Sequence, residues 1–240
     1  QVVRIATHVT EADISGQHVR LGKMLGMEVM CFLMMAHTVG PEKVLEQALL
    51  LESYGADVVY VVDSAGAMLP GEVRRKVGLL RDELRCSVGF HAHNNLGLAI
   101  GNSLAAIDAG ASIVDGTLLG IGAGAGNAAL ELLVATLDKA GYQTGIDLFR
   151  LLDFAEECRG RLPAKGAIEA GAIMLGYAGV YSSFLLHTYR AAEKFQLDPR
   201  TILVELGRLK IIGGQEDMII DVAREMAASR EKAKCEMAKS

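Results

Sequence analysis

The sequence predicts an α/β fold, a parallel sheet flanked by helices, and two observations carry that prediction. Short β-branched runs alternate with segments of helical apolar spacing as far as residue 140. The polar residues that could do chemistry gather just after those runs: Thr7-His8, His37, Asp63-Ser64, His91 with His93, and Asp115-Gly116-Thr117. Val-rich runs without clean alternation suit strands buried on both faces, the habit of parallel sheets. An open doubly wound sheet would concentrate its polar groups at one switch point. Polar residues at all five run ends favour a β/α barrel, whose active face collects the carboxyl ends of its strands.

The strands are expected at 2–7, 28–33, 57–63, 88–93 and 112–117, with helices at 15–25, 41–54, 70–84, 96–109 and 128–140. Val44, Leu45, Ala48, Leu49 and Leu51 illustrate the helical spacing in the second of these helices. Gly26, Gly55 and Gly110 stand where a left-handed helix C-cap belongs. Pro41 and Pro70 stand at helix starts, where a missing amide hydrogen costs little. Beyond residue 140 the pattern is helical, at 148–161, 182–195, 199–209 and 218–232. The expected organisation is a partial barrel domain over 1–145 and a helical C-terminal domain over 146–240. Five strands cannot close an eight-stranded barrel, so three strands come from elsewhere or the sheet stays open. The chain opens on Gln1 and runs straight into a strand, which reads as a cut.

Composition narrows the function classes. Hydrophobic residues make up 51% and charged residues 22%, enough for a sizeable core. No apolar run reaches the roughly 18 residues of a membrane span, and no cationic leader precedes an apolar stretch. The net charge of −5 argues against nucleic acid as the main partner. Cys31, Cys86, Cys158 and Cys235 are scattered with no C-x-x-C pair, as reduced thiols of a cytoplasmic protein would be.

His91-Ala92-His93 ends the apolar run 86–90. Residues two apart on a strand share a face, so both imidazoles can aim at one point. Two readings stay open: hydrogen-bonded histidines capping a strand, or two ligands of a divalent metal completed by a carboxylate or water. His8 sits at a strand end and is a candidate to line a pocket. His18 and His187 read as helix-surface residues and His37 as a loop residue. The glycines from Gly120 to Gly126 lack a Walker lysine and an acidic ribose partner, so they read as a tight turn before a helix at Asn127. The basic run from Arg230 to Lys239 is interrupted by Glu231 and Glu236 and reads as a solvated helix end.

Four runs carry a resemblance: Arg4-Ile5-Ala6-Thr7-His8, Asp63-Ser64-Ala65-Gly66-Ala67-Met68, Gly89-Phe90-His91-Ala92-His93-Asn94-Asn95, and the glycine run through Asn127-Ala128. With Gly176-Tyr177-Ala178-Gly179-Val180-Tyr181-Ser182-Ser183-Phe184 and Gly213-Gly214-Gln215-Glu216-Asp217-Met218 in the tail, the chain resembles the 4-hydroxy-2-oxovalerate aldolase family. That family lies within the metallolyase superfamily of isopropylmalate synthase and hydroxymethylglutaryl-CoA lyase. The resemblance implies a TIM (β/α)8 barrel of which this chain holds five of eight strand-helix units, the fourth to the eighth. It implies retro-aldol cleavage of 4-hydroxy-2-oxopentanoate to pyruvate and acetaldehyde in aromatic-compound catabolism.

By the same resemblance, His91 and His93 are metal ligands, with Mn²⁺ the expected ion and Co²⁺ or Mg²⁺ as alternatives. Ser64 binds the pyruvate carboxylate; otherwise it caps its turn while Asp63 orients a neighbour. Tyr181 enters from the tail as the catalytic tyrosine that contacts the aldehyde half, with Tyr177 the competing candidate. Asn94 and Asn95 are expected to orient an imidazole. Family members carry an Arg-Asp pair and a following His on their first strand; no such arrangement occurs here, and Arg81-Asp82 is mid-helix. These 240 residues alone are therefore expected to have negligible activity. The implied partner is an acylating aldehyde dehydrogenase that receives the aldehyde by channelling and itself binds NAD and coenzyme A. The alternatives are a sister metallolyase acting on acyl-CoA esters and a non-catalytic docking fragment.

Overall fold

A computed structural model of the chain describes residues 1–162 and 168–237. Strands β1 (Val2–His8), β2 (Glu28–Met34), β3 (Val58–Asp63), β4 (Ser87–Ala92) and β5 (Ile113–Val114) form one parallel sheet in chain order. Helices α1 (Gly16–Met24), α2 (Pro41–Tyr54), α3 (Pro70–Glu83) and α4 (Ala99–Asp108) make the crossovers. Pro41 and Pro70 open their helices as expected. Gly26, Gly55 and Gly110 have φ of +70°, +106° and +104°, the left-handed region that glycine enters without a Cβ clash.

Alternation along the strands separates two faces. Val29, Cys31, Leu33, Val59, Val61, Val88 and Phe90 join the core shared with Val44, Leu51, Val73, Val77 and Leu80 of the helices. Phe32, Val58, Tyr60 and Val62 pack on the opposite, concave face. There the Phe32 and Tyr60 rings stack at 4.1 Å, and the Tyr60 ring lies so close to Gly89 that a Cβ would meet it at 2.7 Å. Arg4 of β1 crosses this face, over the Phe32 ring at 4.2 Å, to pair with Asp115 just past β5. In a flat sheet four interstrand steps of about 4.8 Å would hold these edges about 19 Å apart. The ion pair forms because the sheet curls as part of a barrel.

The strand expected at 112–117 is only Ile113–Val114. At Gly116 a Cβ would meet Leu130 Cα at 3.0 Å, and Thr117 instead bridges to Ala129, so the chain leaves the sheet early. Helix α4 begins at Ala99 rather than residue 96, because Asn94 Oδ1 accepts from the Ala99 amide and Asn94 to Gly97 forms a turn.

Helices α5 (Leu130–Lys139), α6 (Leu148–Arg159), α7 (Ala170–Ala178), α8 (Phe184–Phe195), α9 (Pro199–Arg208) and α10 (Met218–Met237) follow. Helix α6 packs on α5, and α7 to α10 enclose a second core around Leu175, Phe184, Ile202, Leu206 and Ile219. Helix α7 has no counterpart among the expected elements. Its sequence, Ala-Gly-Ala-Ile-Met-Leu-Gly-Tyr-Ala, is apolar throughout and carries no helical period. Among the described residues no helix is long and apolar enough to cross a membrane. Cys31, Cys86 and Cys158 are free thiols, and burial pushes the first two up to about 12. The Cys235 side chain and the last residues of the basic run lie outside the described residues.

Candidate active site

The strand carboxyl ends meet in a cavity of about 310 Å³ lined by Arg4, Ala6, Phe32, Met34, Val62, Ser64, His91, His93 and Tyr181. A larger apolar groove of about 630 Å³ runs between β1 and α1 and holds neither of these imidazoles. The smaller cavity is therefore the candidate site.

Strand β4 sends Val88, Phe90 and Ala92 into the helix-side core, so the period of two turns Gly89, His91 and His93 to the concave face. The two imidazoles lie 5.3 Å apart, inclined at 71°. His91 Nδ1 donates to Asp115 Oδ2 at 3.0 Å, because a carboxylate can only accept. Burial, and then the neighbouring His91, pushes the His93 imidazole down to about 4, against a backbone hydrogen bond with Ala123. At neutral pH His93 is thus uncharged, and its buried Nδ1 has no hydrogen-bond partner among the described residues. Uncharged imidazole nitrogen is the form a divalent metal takes as ligand, so the pair fits a metal as two of its ligands. Among the described residues no group of three or more His, Cys, Asp or Glu is placed to hold an ion.

Ser64 is buried, and its Oγ accepts from the Met35 amide at 2.9 Å. That leaves its hydroxyl proton to be donated. The turn itself is capped by Asp63, which accepts from the amides of Ala67 and Met68 at 2.9 and 3.0 Å. The division of labour is the reverse of a Ser64 cap with Asp63 orienting a neighbour. Burial pushes the Asp63 carboxyl up, opposed by His37 and by those two amides.

Tyr181 follows the left-handed Gly179 that ends α7, and its ring faces Gly213, where a Cβ would lie 3.4 Å from Cδ1. It lines the cavity, and with His93, Leu186 and Tyr189 it also lines an adjoining one of about 480 Å³. Tyr177 is 72% exposed and lines neither.

Several expectations are corrected. Asn94 and Asn95 do not orient an imidazole. Asn94 caps α4, and buried Asn95 donates to the Ala65 carbonyl and accepts from the Ala125 amide, tying two loops together. His8 lies outside the cavity lining and bonds Thr10 Oγ1 at 2.8 Å. His37 is more than a loop residue: half-buried, its Nε2 meets the Gly179 carbonyl at 3.0 Å, joining the strand ends to the tail. His18 and His187 are exposed, as expected. The glycine run is a closed turn, but its helix begins at Leu130, and Asn127 Nδ2 donates back to the Ile121 carbonyl. At Gly126 a Cβ would lie 2.0 Å from the Gly120 carbonyl oxygen.

Sequence reasoning placed Asp115 among the polar strand-end residues without giving it a role, and it gave Arg4 no role either. Asp115 carried a signal, a carboxylate just after a strand; Arg4, mid-strand, carried none.

Comparison with known proteins gives the family. Residues 5–157 match the HMGL-like family and residues 167–228 the DmpG-like communication domain. A 4-hydroxy-2-oxovalerate aldolase of Pelotomaculum thermopropionicum is 64% identical over 97% of this chain and 69% of its own length. The chain belongs to the 4-hydroxy-2-oxovalerate aldolase family. A second member, from Carboxydothermus hydrogenoformans, is 58% identical over the same shares of the two chains. The family makes this an enzyme chain of the aldolase, carbon–carbon lyase, type.

Solved structures share the fold. The Bacillus subtilis HMG-CoA lyase matches with a TM-score of 0.60 at 22% identity, covering 68% of this chain and 65% of that one. The carboxyl transferase domain of Rhizobium etli pyruvate carboxylase matches with a TM-score of 0.75 at 15% identity, covering 95% of this chain and 42% of that one. These support a curved α/β sheet that is part of a barrel, followed by helices.

Proposed function

We propose that this chain carries the strand-end half of a divalent-metal site for retro-aldol cleavage of 4-hydroxy-2-oxopentanoate to pyruvate and acetaldehyde, in the catabolism of aromatic compounds. The observation that carries the proposal is the pairing of uncharged His93, whose Nδ1 has no partner among the described residues, with His91 in one cavity with Ser64 and Tyr181. His91 and His93 would hold the ion, Mn²⁺ on the family's precedent. A bound cation supplies positive charge where negative charge develops on the substrate ketone oxygen. Ser64, fixed by Met35, donates its hydroxyl proton to the pyruvate carboxylate. Phe32, Met34 and Val62 exclude water from the carbon–carbon bond that breaks. Tyr181 faces the aldehyde half from the tail.

The chain divides into a partial barrel over 1–145 and a helical part over 146–240, whose first helix, α6, packs back on α5 of the barrel part. The communication-domain match supports the tail as the surface for an acylating aldehyde dehydrogenase that receives the aldehyde. NAD and coenzyme A belong to that partner. A cytoplasmic setting goes with the three free thiols.

The test is Mn²⁺-dependent pyruvate release from 4-hydroxy-2-oxopentanoate by this chain and by a longer one carrying the family's Arg-Asp strand. Activity in the longer chain alone, abolished by His91→Ala, is the expected result. Activity in this chain would overturn the need for that strand, and silence from both would overturn the aldolase reading in favour of the acyl-CoA metallolyase or a docking role.

A further inference from the structure

Asp115 stands where three donors converge. Its Oδ2 accepts from His91 Nδ1 at 3.0 Å and pairs with the Arg4 guanidinium, while Oδ1 accepts from Tyr60 Oη at 3.3 Å. Every one of these groups lies on or beside the concave face, and they come from four strand positions: β1, β3, β4 and the end of β5. Arg4 is itself held over the Phe32 and Tyr60 rings, at 4.2 and 5.6 Å. The carboxylate is mostly buried, with 17% of its side chain exposed, and is already shared among donors. It is therefore poorly placed to bind an ion itself, and well placed to turn the His91 ring.

We propose that Asp115, held by Arg4 and Tyr60, is a positioning residue that fixes the proton of His91 on Nδ1 and leaves Nε2 as the metal-binding nitrogen. The inference rests on the metal reading of the His91–His93 pair. The chemistry is that of a ligating histidine whose far nitrogen donates to a carboxylate, which fixes both tautomer and ring orientation. Among the described residues His93 has no such carboxylate; its backbone contact is with Ala123. The two imidazoles are thus oriented by different means, and only one of them depends on the far edge of the sheet.

The experiment has two readouts, both on the longer chain that also carries the family's Arg-Asp strand. Nitrogen-15 NMR of the histidine rings, metal-free at pH 8, reports the tautomer: His91 is expected as the Nδ1–H form. Electron paramagnetic resonance of unbound Mn²⁺ reports affinity. Asp115→Asn can turn its amide NH₂ toward the ring and force the Nε2–H form, so it is expected to weaken Mn²⁺ binding about 10–100-fold. An Nε2–H His91 in the wild-type chain overturns the proposal, as does Asp115→Asn with the wild-type tautomer and affinity. A wild-type chain that takes up no Mn²⁺ overturns the metal reading instead, and the wild-type tautomer, which needs no variant to fold, still decides the role of Asp115.

Discussion

The sheet and the helical tail place their site residues by different physical means. In the sheet, register does the placing: β4 pairs with β3 from Ser87 to Ala92, so His91 lies beside Val62 and points where the period of two sends it. In the tail, Tyr181 hangs on a turn between two helices. It reaches the cavity because α7 comes close to the turn after β4 at Gly176, where a Cβ would sit 2.7 Å from Leu96 Cγ. The two regions have separate buried clusters, one around Val61 and Phe90 and one around Leu175 and Phe184. A strand position tolerates little movement, whereas a turn position follows whatever its helices do. The metal pair should therefore be robust to changes in the tail, and Tyr181 should not.

The largest test of this contrast truncates one ring in each core. Phe90→Ala and Phe184→Ala each remove a fully buried side chain, and each should cost about 3–5 kcal/mol. Urea unfolding followed alongside Mn²⁺ binding separates them: Phe90→Ala should lose both, Phe184→Ala should loosen the tail and keep the metal. Loss of Mn²⁺ binding in Phe184→Ala at low urea would make the two regions one cooperative unit. Gly176→Ala comes next. It forces α7 away from Leu96 and Asn95 and should cost about 1–3 kcal/mol as overpacking. Mn²⁺ affinity should stay within twofold while pyruvate release by the longer chain falls, because Tyr181 moves with α7.

The same contrast explains what was legible in the sequence. Strand positions, the helix-starting prolines and the shared face of His91 and His93 were readable because they follow from periods of 2 and 3.6 and from local backbone chemistry. Tyr181 was readable only through resemblance, since nothing in a helical period says that a turn reaches back to a sheet. Helix α7 was invisible because an all-apolar, glycine-containing stretch has no polar face to set its period. The orienting role went to Asp115 rather than to Asn94 or Asn95, because it depends on the register that sets the end of β5 beside His91 of β4. The His91–Asp115 contact, 24 positions apart, joins neighbouring strands, whereas Arg4–Asp115, 111 positions apart, is a product of the curl that brings β1 toward β5.

A smaller effect is expected at the join. His37 Nε2 and the Gly179 carbonyl make one hydrogen bond between the regions. His37→Ala should cost about 0.5–1.5 kcal/mol, the net worth of such a bond. Hydrogen exchange locates it: amides near 176–184 should exchange faster, and those of β3 and β4 should not. Faster exchange in the strands would mean that the tail braces the sheet.

The smallest effect lies at the opposite end of the sheet, remote from both the tail and the cavity. Glu52 Oε1 accepts from the amides of Arg85 and Cys86 at 2.7 and 2.8 Å, at the entrance to β4. Burial raises its carboxyl, but these hydrogen bonds outweigh it and hold the group below the ordinary glutamate range. A carboxylate lowered in the folded chain binds fewer protons there than when unfolded. Its stabilisation is complete above the ordinary value of 4.5, and fades as pH drops through the lower folded value. Glu52→Gln should therefore show a shallower loss of urea midpoint than the wild type between pH 5 and 3, with Mn²⁺ affinity at pH 8 unchanged. The group is largely solvated, so the difference in slope should be slight. An identical slope would mean that both amides are satisfied as well by a neutral acceptor. A change in Mn²⁺ affinity would be more consequential, because it would show that the strand entrance sets the pitch of β4, and through it the aim of both imidazoles.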